Sequence, residues 1–226
     1  KMMEQENVDM MTFMMNQAKV ASEITERILG NQDIYKAVEN NKYDIAIVDG
    51  MPFTKGLYVI PYRHGIPFTT LTTGFFPPDI GVPYLPSFMP SMLSTNTPEM
   101  TFFQRVQEVA FAIGVSTMKW PKTDETFVRN FAPGKDIIDL NKLCKKAEMW
   151  FVNSDVLLDY IHPTTPNMIE CGGLTTKPSK PLPTDLNDFV SNSKNGIIVV
   201  SFGSMVSDFP HKIIVNLVEA FKKVDL

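Results

Sequence analysis

The sequence contains few of the residues that most often form metal and nucleophile sites. It has two cysteines, Cys144 and Cys171, and three histidines among 226 residues. Two cysteines allow a single disulfide, but they are too few for a disulfide framework or a zinc site. No histidine pair has the spacing of a zinc motif, and neither a Walker loop nor a nucleophile elbow occurs. We therefore expect no bound metal, and the motif-defined P-loop and serine-hydrolase classes are excluded.

Positive charge and long apolar runs are also scarce. The 21 lysines and arginines are outnumbered by 25 acidic residues, and the net charge is −4. No basic field is therefore available to attract nucleic acid, which excludes nucleic-acid binding as a function. The sequence starts at Lys1 without a charged-then-apolar leader, and no apolar run approaches the ~18 residues of a bilayer-spanning helix. We expect neither a signal peptide nor a transmembrane segment within these residues.

Apolar residues are plentiful enough for a core. Hydrophobic residues make up 44% of the chain and charged residues 20%, which is typical of a globular protein. A tract rich in proline, lysine and threonine begins at Leu174 and has the composition of a linker. We predict a partial α/β domain over residues 1–173, a linker over 174–194, and the truncated start of a second domain over 195–226.

Strand and helix patterns alternate along the first of these regions. The predicted strands cover 43–48, 68–71, 149–153 and 168–171. The predicted helices cover 1–29, 33–40, 54–64, 102–113, 124–131 and 136–147. Six prolines between Pro77 and Pro98 predict an extended, ordered loop there. The alternation predicts an α/β fold with parallel strands and right-handed crossovers.

A further strand, turn and helix pattern closes the sequence. Four apolar residues, 197–200, predict a strand buried on both faces. Asp208 and Pro210 then have the order of a helix cap and first turn. Between the strand and the cap, Gly203 and Ser204 could offer a backbone N–H group and a hydroxyl to a phosphate. The same small residues also suit a tight turn that binds nothing, and both interpretations stay open.

Asp49 is the strongest single candidate for chemistry. It ends a predicted strand, and ligands of open α/β sheets bind beyond the carboxyl ends of the strands. A carboxylate there can orient a histidine and stabilise its imidazolium while the histidine takes a proton from a hydroxyl. Alternatively, Asp49 caps the turn that follows the strand. The residues alone leave both interpretations open.

None of the three histidines is an obvious partner for this carboxylate. His64 precedes Gly65 at a predicted helix end, where a cation offsets the helix dipole. His162 precedes a proline in a loop, and His211 lies in the first turn of the last helix. We expect structural or solvent-facing roles for all three.

Four segments resemble animal UDP-glucuronosyltransferases and stand in the same order. They are YDIAIVD from Tyr43, VPYLPSFMPSMLSTNTPEMTFFQRVQEV from Val82, PNMIECGGL from Pro166, and IIVVSFGSMVS from Ile197. The resemblance covers nearly the whole chain, and the proline-rich segment that runs into MTFFQRV is its most specific part.

The resemblance implies a GT-B fold with two Rossmann-like domains that face each other. The N-terminal domain, here without its first strands, would bind the acceptor, and the C-terminal domain would bind a UDP-sugar. The implied reaction is an inverting, metal-independent transfer of a sugar, glucuronic acid or glucose, to a small lipophilic acceptor. UDP-sugar would be a co-substrate, and no cofactor is implied.

The resemblance also assigns roles to individual residues. Asp49 matches the aspartate that orients the base histidine, and that histidine belongs to an earlier strand which this chain lacks. Gly203 and Ser204 match the loop that contacts the donor diphosphate. Four aromatic residues would wall an apolar acceptor site, although core packing explains them equally well. These are Phe75, Phe76, Phe102 and Phe103.

The long UDP-sugar signature of the second domain would lie beyond Leu226, so we expect these 226 residues alone to be inactive. By resemblance, the full-length parent would be a hexosyltransferase on the luminal side of the endoplasmic reticulum membrane, and homo-oligomer formation stays open. The alternative function is a non-catalytic module that binds lipophilic molecules or a partner protein.

Overall fold

The computed structural model describes residues 10–74, 76–91, 94–117, 125–203 and 211–223. The chain divides into two compact units, and the boundary between them falls after Thr175. This boundary lies close to the start of the predicted linker. The predicted division into an acceptor domain, a linker and a donor domain remains a prediction.

The larger unit is built on a four-stranded parallel sheet, which confirms the predicted α/β class. The strands are β1 (Ala46–Asp49), β2 (Phe68–Thr72), β3 (Trp150–Val152) and β4 (Met168–Glu170). They lie in the order β1-β2-β3-β4, and each neighbouring pair is parallel. All four carboxyl ends therefore lie along the same edge of the sheet.

The two faces of this sheet differ in burial. Val48, Thr70, Trp150 and Met168 are in register on one face, and all four are buried. On the opposite face, here called the open face, Ile47 is 71% exposed and Leu71 is 40% exposed, although Thr69 is buried.

Nine helices lie within the described residues, together with one 3₁₀ turn, Lys55–Tyr58. The helices are α1 (Met10–Gly30), α2 (Gln32–Asn41), α3 (Val59–His64), α4 (Pro77–Ile80), α5 (Phe102–Thr117), α6 (Thr126–Phe131), α7 (Leu140–Cys144), α8 (Thr184–Asn192) and α9 (His211–Phe221). Local sequence sets several of their ends. Asn31 accepts a hydrogen bond from the Asp33 N–H and caps α2, while Gly65 adopts φ 69° and ends α3 as predicted.

The structure corrects several predicted bounds within the larger unit. The predicted helix 54–64 opens with the 3₁₀ turn before α3 begins at Val59. The predicted helix 136–147 shrinks to α7, because Asp139 caps its first turn through the Lys142 N–H. The short helix α4 interrupts the predicted loop 77–98, since both of its prolines occupy positions in the first turn that need no donor.

One prediction for the smaller unit is wrong, because residues 197–200, predicted as a strand, pair with no described strand. This apolar segment has no regular secondary structure, and its four residues are exposed. Residues 184–192, inside the predicted linker, form α8. None of the smaller unit's described residues, 176–203 and 211–223, is buried.

The core of the larger unit packs the helices onto the covered face of the sheet. Its fully buried side chains come from distant parts of the chain. They include Leu29 of α1, Tyr58 of the 3₁₀ turn, Val128 of α6, Leu143 of α7 and Trp150 of β3. Helix α5 differs from the helices that bury apolar side chains in this core, because the one described residue that it buries is the charged Glu108.

Candidate functional site

Asp49 lies where the sequence places it, at the carboxyl end of β1. Its register partner is Leu71, which is followed across the sheet by Phe151 and Ile169. Leu71 is 40% exposed and Ile169 is 39% exposed. The Asp49 side chain is thus exposed at the carboxyl edge of the sheet, in the row of side chains on the open face. This is the position at which open α/β sheets bind ligands.

The carboxylate of Asp49 has one bonded and one open oxygen. Oδ1 accepts a hydrogen bond from the Met51 N–H at 3.1 Å, which makes a local turn. Oδ2 has no hydrogen-bond partner among the described residues. The turn interpretation and the catalytic interpretation therefore both have a structural basis, and one oxygen stays available to an outside donor.

The turn after Asp49 packs tightly against the neighbouring strands. Gly50 is buried, and its N–H donates to the Leu71 carbonyl at 2.9 Å. A Cβ atom on Gly50 would lie 2.5 Å from Thr70 Cγ2 and 2.8 Å from Thr72 Cβ. Such contacts are far below van der Waals separation, so glycine is required here by the close approach of β2.

Sequence reasoning missed Ser154, which follows β3 at the same edge of the sheet. Its side chain is 7% exposed, and its Oγ atom has no partner within the part of the chain that the structure describes. A Cβ atom on Gly172 would approach the Ser154 carbonyl oxygen to 2.9 Å, so the ends of β3 and β4 are close together. The polar run Asn-Ser-Asp directly after a predicted strand was the available signal.

None of the described hydrogen bonds or ion pairs joins a histidine to Asp49. His64 ends α3, and burial lowers its pKa, helped by Arg63 and Lys135 and opposed by Glu39. His162 Nε2 lies 3.1 Å from Glu170 Oε1 and ties the loop before β4 to that strand. The third, His211, is exposed at the start of α9.

The cysteines form no disulfide. Both are free, and burial raises the pKa of the Cys144 thiol to about 12, helped by the charge of Asp79. Burial also raises the pKa of Cys171. Lys55 and Lys145 oppose the rise at Cys144, but burial outweighs them, so neither thiol has the lowered pKa of a reactive cysteine.

The predicted donor loop belongs to the smaller unit. Gly203 has φ 74°, is exposed, and directs its N–H to Ser201 Oγ at 3.4 Å. Ser204 lies outside the described residues, as do the predicted cap residues Asp208 and Pro210. The donor assignment of Gly203 and Ser204 remains a prediction.

The predicted acceptor aromatics are spread along the larger unit. Phe75 lies outside the described residues, and Phe76 is partly buried. Phe102 and Phe103 on α5 are arranged edge to face, with their ring centroids 5.6 Å apart. They are 73% and 81% exposed. A cavity of about 200 Å³ beside α5 is lined by Gln107, Glu108 and Phe111 of that helix and by residues 91 and 94–96. Whether the four predicted aromatics bind an acceptor remains a prediction.

The part of the chain that the structure describes contains neither a candidate metal site nor a candidate membrane span. No group of three histidine, cysteine or acidic side chains there could hold a metal ion. Similarly, none of the described helices combines the length and apolar character needed to cross a bilayer.

Comparison with known proteins identifies relatives over about four-fifths of the chain. Human UDP-glucuronosyltransferase 3A1 is 35% identical over 185 residues, which are 80% of this chain and 35% of that protein. Mouse 2-hydroxyacylsphingosine 1-beta-galactosyltransferase is 31% identical over 188 residues, which are 80% of this chain and 34% of that protein. The chain thus spans about a third of the length of these relatives.

The match to a family is broader than the match to either relative. Residues 1–225 match the family described as UDP-glucoronosyl and UDP-glucosyl transferase. This match agrees with the parallel α/β sheet and with the four sequence segments quoted above. The chain therefore belongs to the UDP-glucoronosyl and UDP-glucosyl transferase family.

Proposed function

We propose that this chain is the acceptor-side part of an enzyme that transfers a sugar from a UDP-sugar to the hydroxyl group of a small lipophilic molecule. The family match over residues 1–225 supports the reaction class. The observation that carries the proposal is the position of Asp49, with one open carboxylate oxygen at the carboxyl edge of a parallel sheet.

In the proposed reaction, Asp49 acts through a histidine that this chain does not supply. Oδ2 accepts the N–H of the imidazole and fixes which ring nitrogen faces the acceptor. The histidine takes the acceptor's hydroxyl proton while the oxygen forms a bond to the anomeric carbon. The bond from that carbon to the β-phosphate oxygen breaks, UDP leaves, and the sugar's configuration inverts. The negative Asp49 stabilises the imidazolium that forms.

The leaving diphosphate gains negative charge in this step. We propose that the loop at Gly203 and Ser204 donates hydrogen bonds to it, as a glycine-containing loop before a helix can. No metal is assigned to this role.

We infer the ER membrane as the location of the full-length protein from the family resemblance alone.

The sugar and the acceptor are to be identified by testing a panel of candidate substrates. One relative is named for glucuronic acid, and another is named for galactose and a 2-hydroxyacylsphingosine acceptor. These names favour testing UDP-glucuronic acid, UDP-glucose and UDP-galactose against phenols and lipid alcohols.

The test is the transfer activity of the full-length protein that contains this chain, with product measured by mass spectrometry. In an active enzyme, Asp49→Asn should lower kcat by roughly 10²- to 10⁴-fold and leave the KM for UDP-sugar nearly unchanged. Asp44→Asn, an exposed aspartate before the amino end of β1, is the matched control and should retain activity.

Two results would count against the proposal. A normal kcat for Asp49→Asn would leave Asp49 as a turn residue, because asparagine caps nearly as well as aspartate. No transfer from any UDP-sugar, combined with binding of a lipophilic ligand, would instead favour the non-catalytic module.

A further inference from the structure

Thr54 occupies the cap position of the 3₁₀ turn Lys55–Tyr58 but does not cap it. A threonine in this position normally directs its hydroxyl forward to an N–H group of the first turn. The Thr54 side chain makes no such bond. Its Oγ1 atom instead lies 3.1 Å from the Asp49 carbonyl oxygen and 2.9 Å from the Met51 carbonyl oxygen.

The hydroxyl of Thr54 therefore closes the loop of residues 49–54 back onto the end of β1. A threonine hydroxyl has one proton to donate, and both of its neighbours here are carbonyl oxygens, which can only accept. The proton is thus shared between Asp49 and Met51. The Thr54 N–H also donates to the Met51 carbonyl at 3.0 Å, so the same residue fixes the loop twice.

A second and independent contact fixes the main chain on the other side. Gly50 lies against Thr70 and Thr72, and its N–H is bonded to the Leu71 carbonyl at 2.9 Å. The backbone of Asp49 is therefore held between the sheet and the hydroxyl of Thr54. Oδ1 of Asp49 accepts its hydrogen bond from the Met51 N–H. The position of the Asp49 backbone therefore sets the direction in which Oδ2 points.

We propose, on the basis of the function proposed above, that Thr54 is a positioning residue for the Asp49 carboxylate. Without the Thr54 hydroxyl, the carbonyl oxygens of Asp49 and Met51 lose the donor that they share. The carboxylate of Asp49 can then shift relative to the sheet. A displacement of about 1 Å at a reacting group can reduce a rate by about 100-fold. Thr54 itself touches neither substrate in this mechanism.

The test uses the full-length enzyme with Thr54→Val, which keeps the side-chain shape and removes the hydroxyl. We expect kcat to fall roughly 10- to 100-fold, while the KM for UDP-sugar stays within about twofold. Thr54→Ser retains the hydroxyl and should restore kcat to within about threefold of the wild-type value.

Thr69→Val is the matched control for the loss of a hydroxyl that donates to a carbonyl. Thr69 Oγ1 donates to the Met149 carbonyl at 2.8 Å, near the amino end of β2 and away from Asp49. This variant should lose stability but keep its kcat.

If Thr54→Val folds poorly, Thr54→Ala and the serine variant provide the same comparison at lower temperature.

The double variant Asp49→Asn/Thr54→Val distinguishes positioning from a general structural effect. If Thr54 acts through the carboxylate, adding Thr54→Val to Asp49→Asn should change kcat by less than about threefold. A fall equal to that in the wild-type background would overturn the inference. A normal kcat for Thr54→Val alone would overturn it too, while the role of Asp49 would stand. A normal kcat for Asp49→Asn would instead reject the function proposed above.

Discussion

Glu108 is a charged side chain that the fold buries almost completely, with 1% of its surface exposed. Its carboxylate accepts hydrogen bonds from the Ser91 N–H at 2.9 Å and from Asn96 Nδ2 at 2.7 Å. Burial alone would raise the pKa of Glu108. The hydrogen bonds from Ser94, Ser91 and Asn96 outweigh burial, so its pKa lies below the ordinary value. Glu108 therefore anchors Ser91 and Asn96 to α5.

Glu108→Gln should lower the free energy of unfolding by about 1–3 kcal/mol at neutral pH, because an amide cannot accept both of these bonds. A carboxyl group whose pKa is depressed by folding stabilises the protein fully above its unfolded pKa of 4.5. That stability is lost as the pH falls through the lower folded pKa. The difference between the two proteins should therefore narrow below about pH 4.5. Urea unfolding over a pH series measures this difference.

Glu99→Gln is the control, since Glu99 is exposed just before α5, and it should change stability little. A stability difference for Glu108→Gln that persists unchanged into strong acid would contradict the role of the ionised carboxylate.

At the scale of elements, a buried ion pair joins three segments that lie far apart in the sequence. Lys55 of the 3₁₀ turn donates to Asp79 of α4 at 2.6 Å and to Asn141 of α7 at 2.8 Å. The Lys55 and Asp79 side chains are each 11% exposed, so water screens the pair little. Each charge therefore depends on the other for compensation.

Replacing one partner should destabilise the protein strongly. Lys55→Met or Asp79→Leu leaves an uncompensated buried charge, and the expected cost is about 3–5 kcal/mol for either variant. The double variant should cost much less than the sum, because it removes both charges. Chemical unfolding of the four proteins gives the coupling energy directly.

The exposed pair of Lys36 and Asp33 provides the comparison, with side chains that are 71% and 86% exposed. Lys36→Met should change stability little. Additive losses for Lys55→Met and Asp79→Leu would show that the two charges do not compensate each other.

At the scale of the whole molecule, the two units differ in how much they bury. The larger unit has a core around Trp150, whereas no described residue of the smaller unit is buried. The apolar residues 197–200 have no regular secondary structure there, and Val199 is 82% exposed. Exposed segments without regular secondary structure are the ones that proteases cut first.

Thermolysin, which cuts before apolar residues, should therefore cleave first within residues 197–202. The strand Phe68–Thr72 offers similar residues but lies within the sheet, and it should stay intact over the same time. Mass spectrometry of the products identifies the sites. Equal resistance of both segments would contradict the difference in burial between the units.

Local sequence was enough to determine much of the fold and one residue of the candidate site. Apart from α4, the order of strands and helices in the larger unit was predicted correctly, as were the end of α3 at Gly65 and the place of Asp49 at the end of β1. These features depend on residues within a few positions of each other, through apolar periodicity, capping and the conformations open to glycine.

Tertiary structure alone decided the rest. Residues 197–200 have the composition of a strand, yet a strand also needs a partner that lies far away in the sequence, and none of the described residues provides one. Likewise, the need for glycine at position 50 comes from Thr70 and Thr72, and the hydrogen bonds of the buried Glu108 come from Ser91 and Asn96. The direction of the Thr54 hydroxyl depends on how the chain turns after β1. Each of these contacts is formed only when the chain has folded, so no local pattern encodes it.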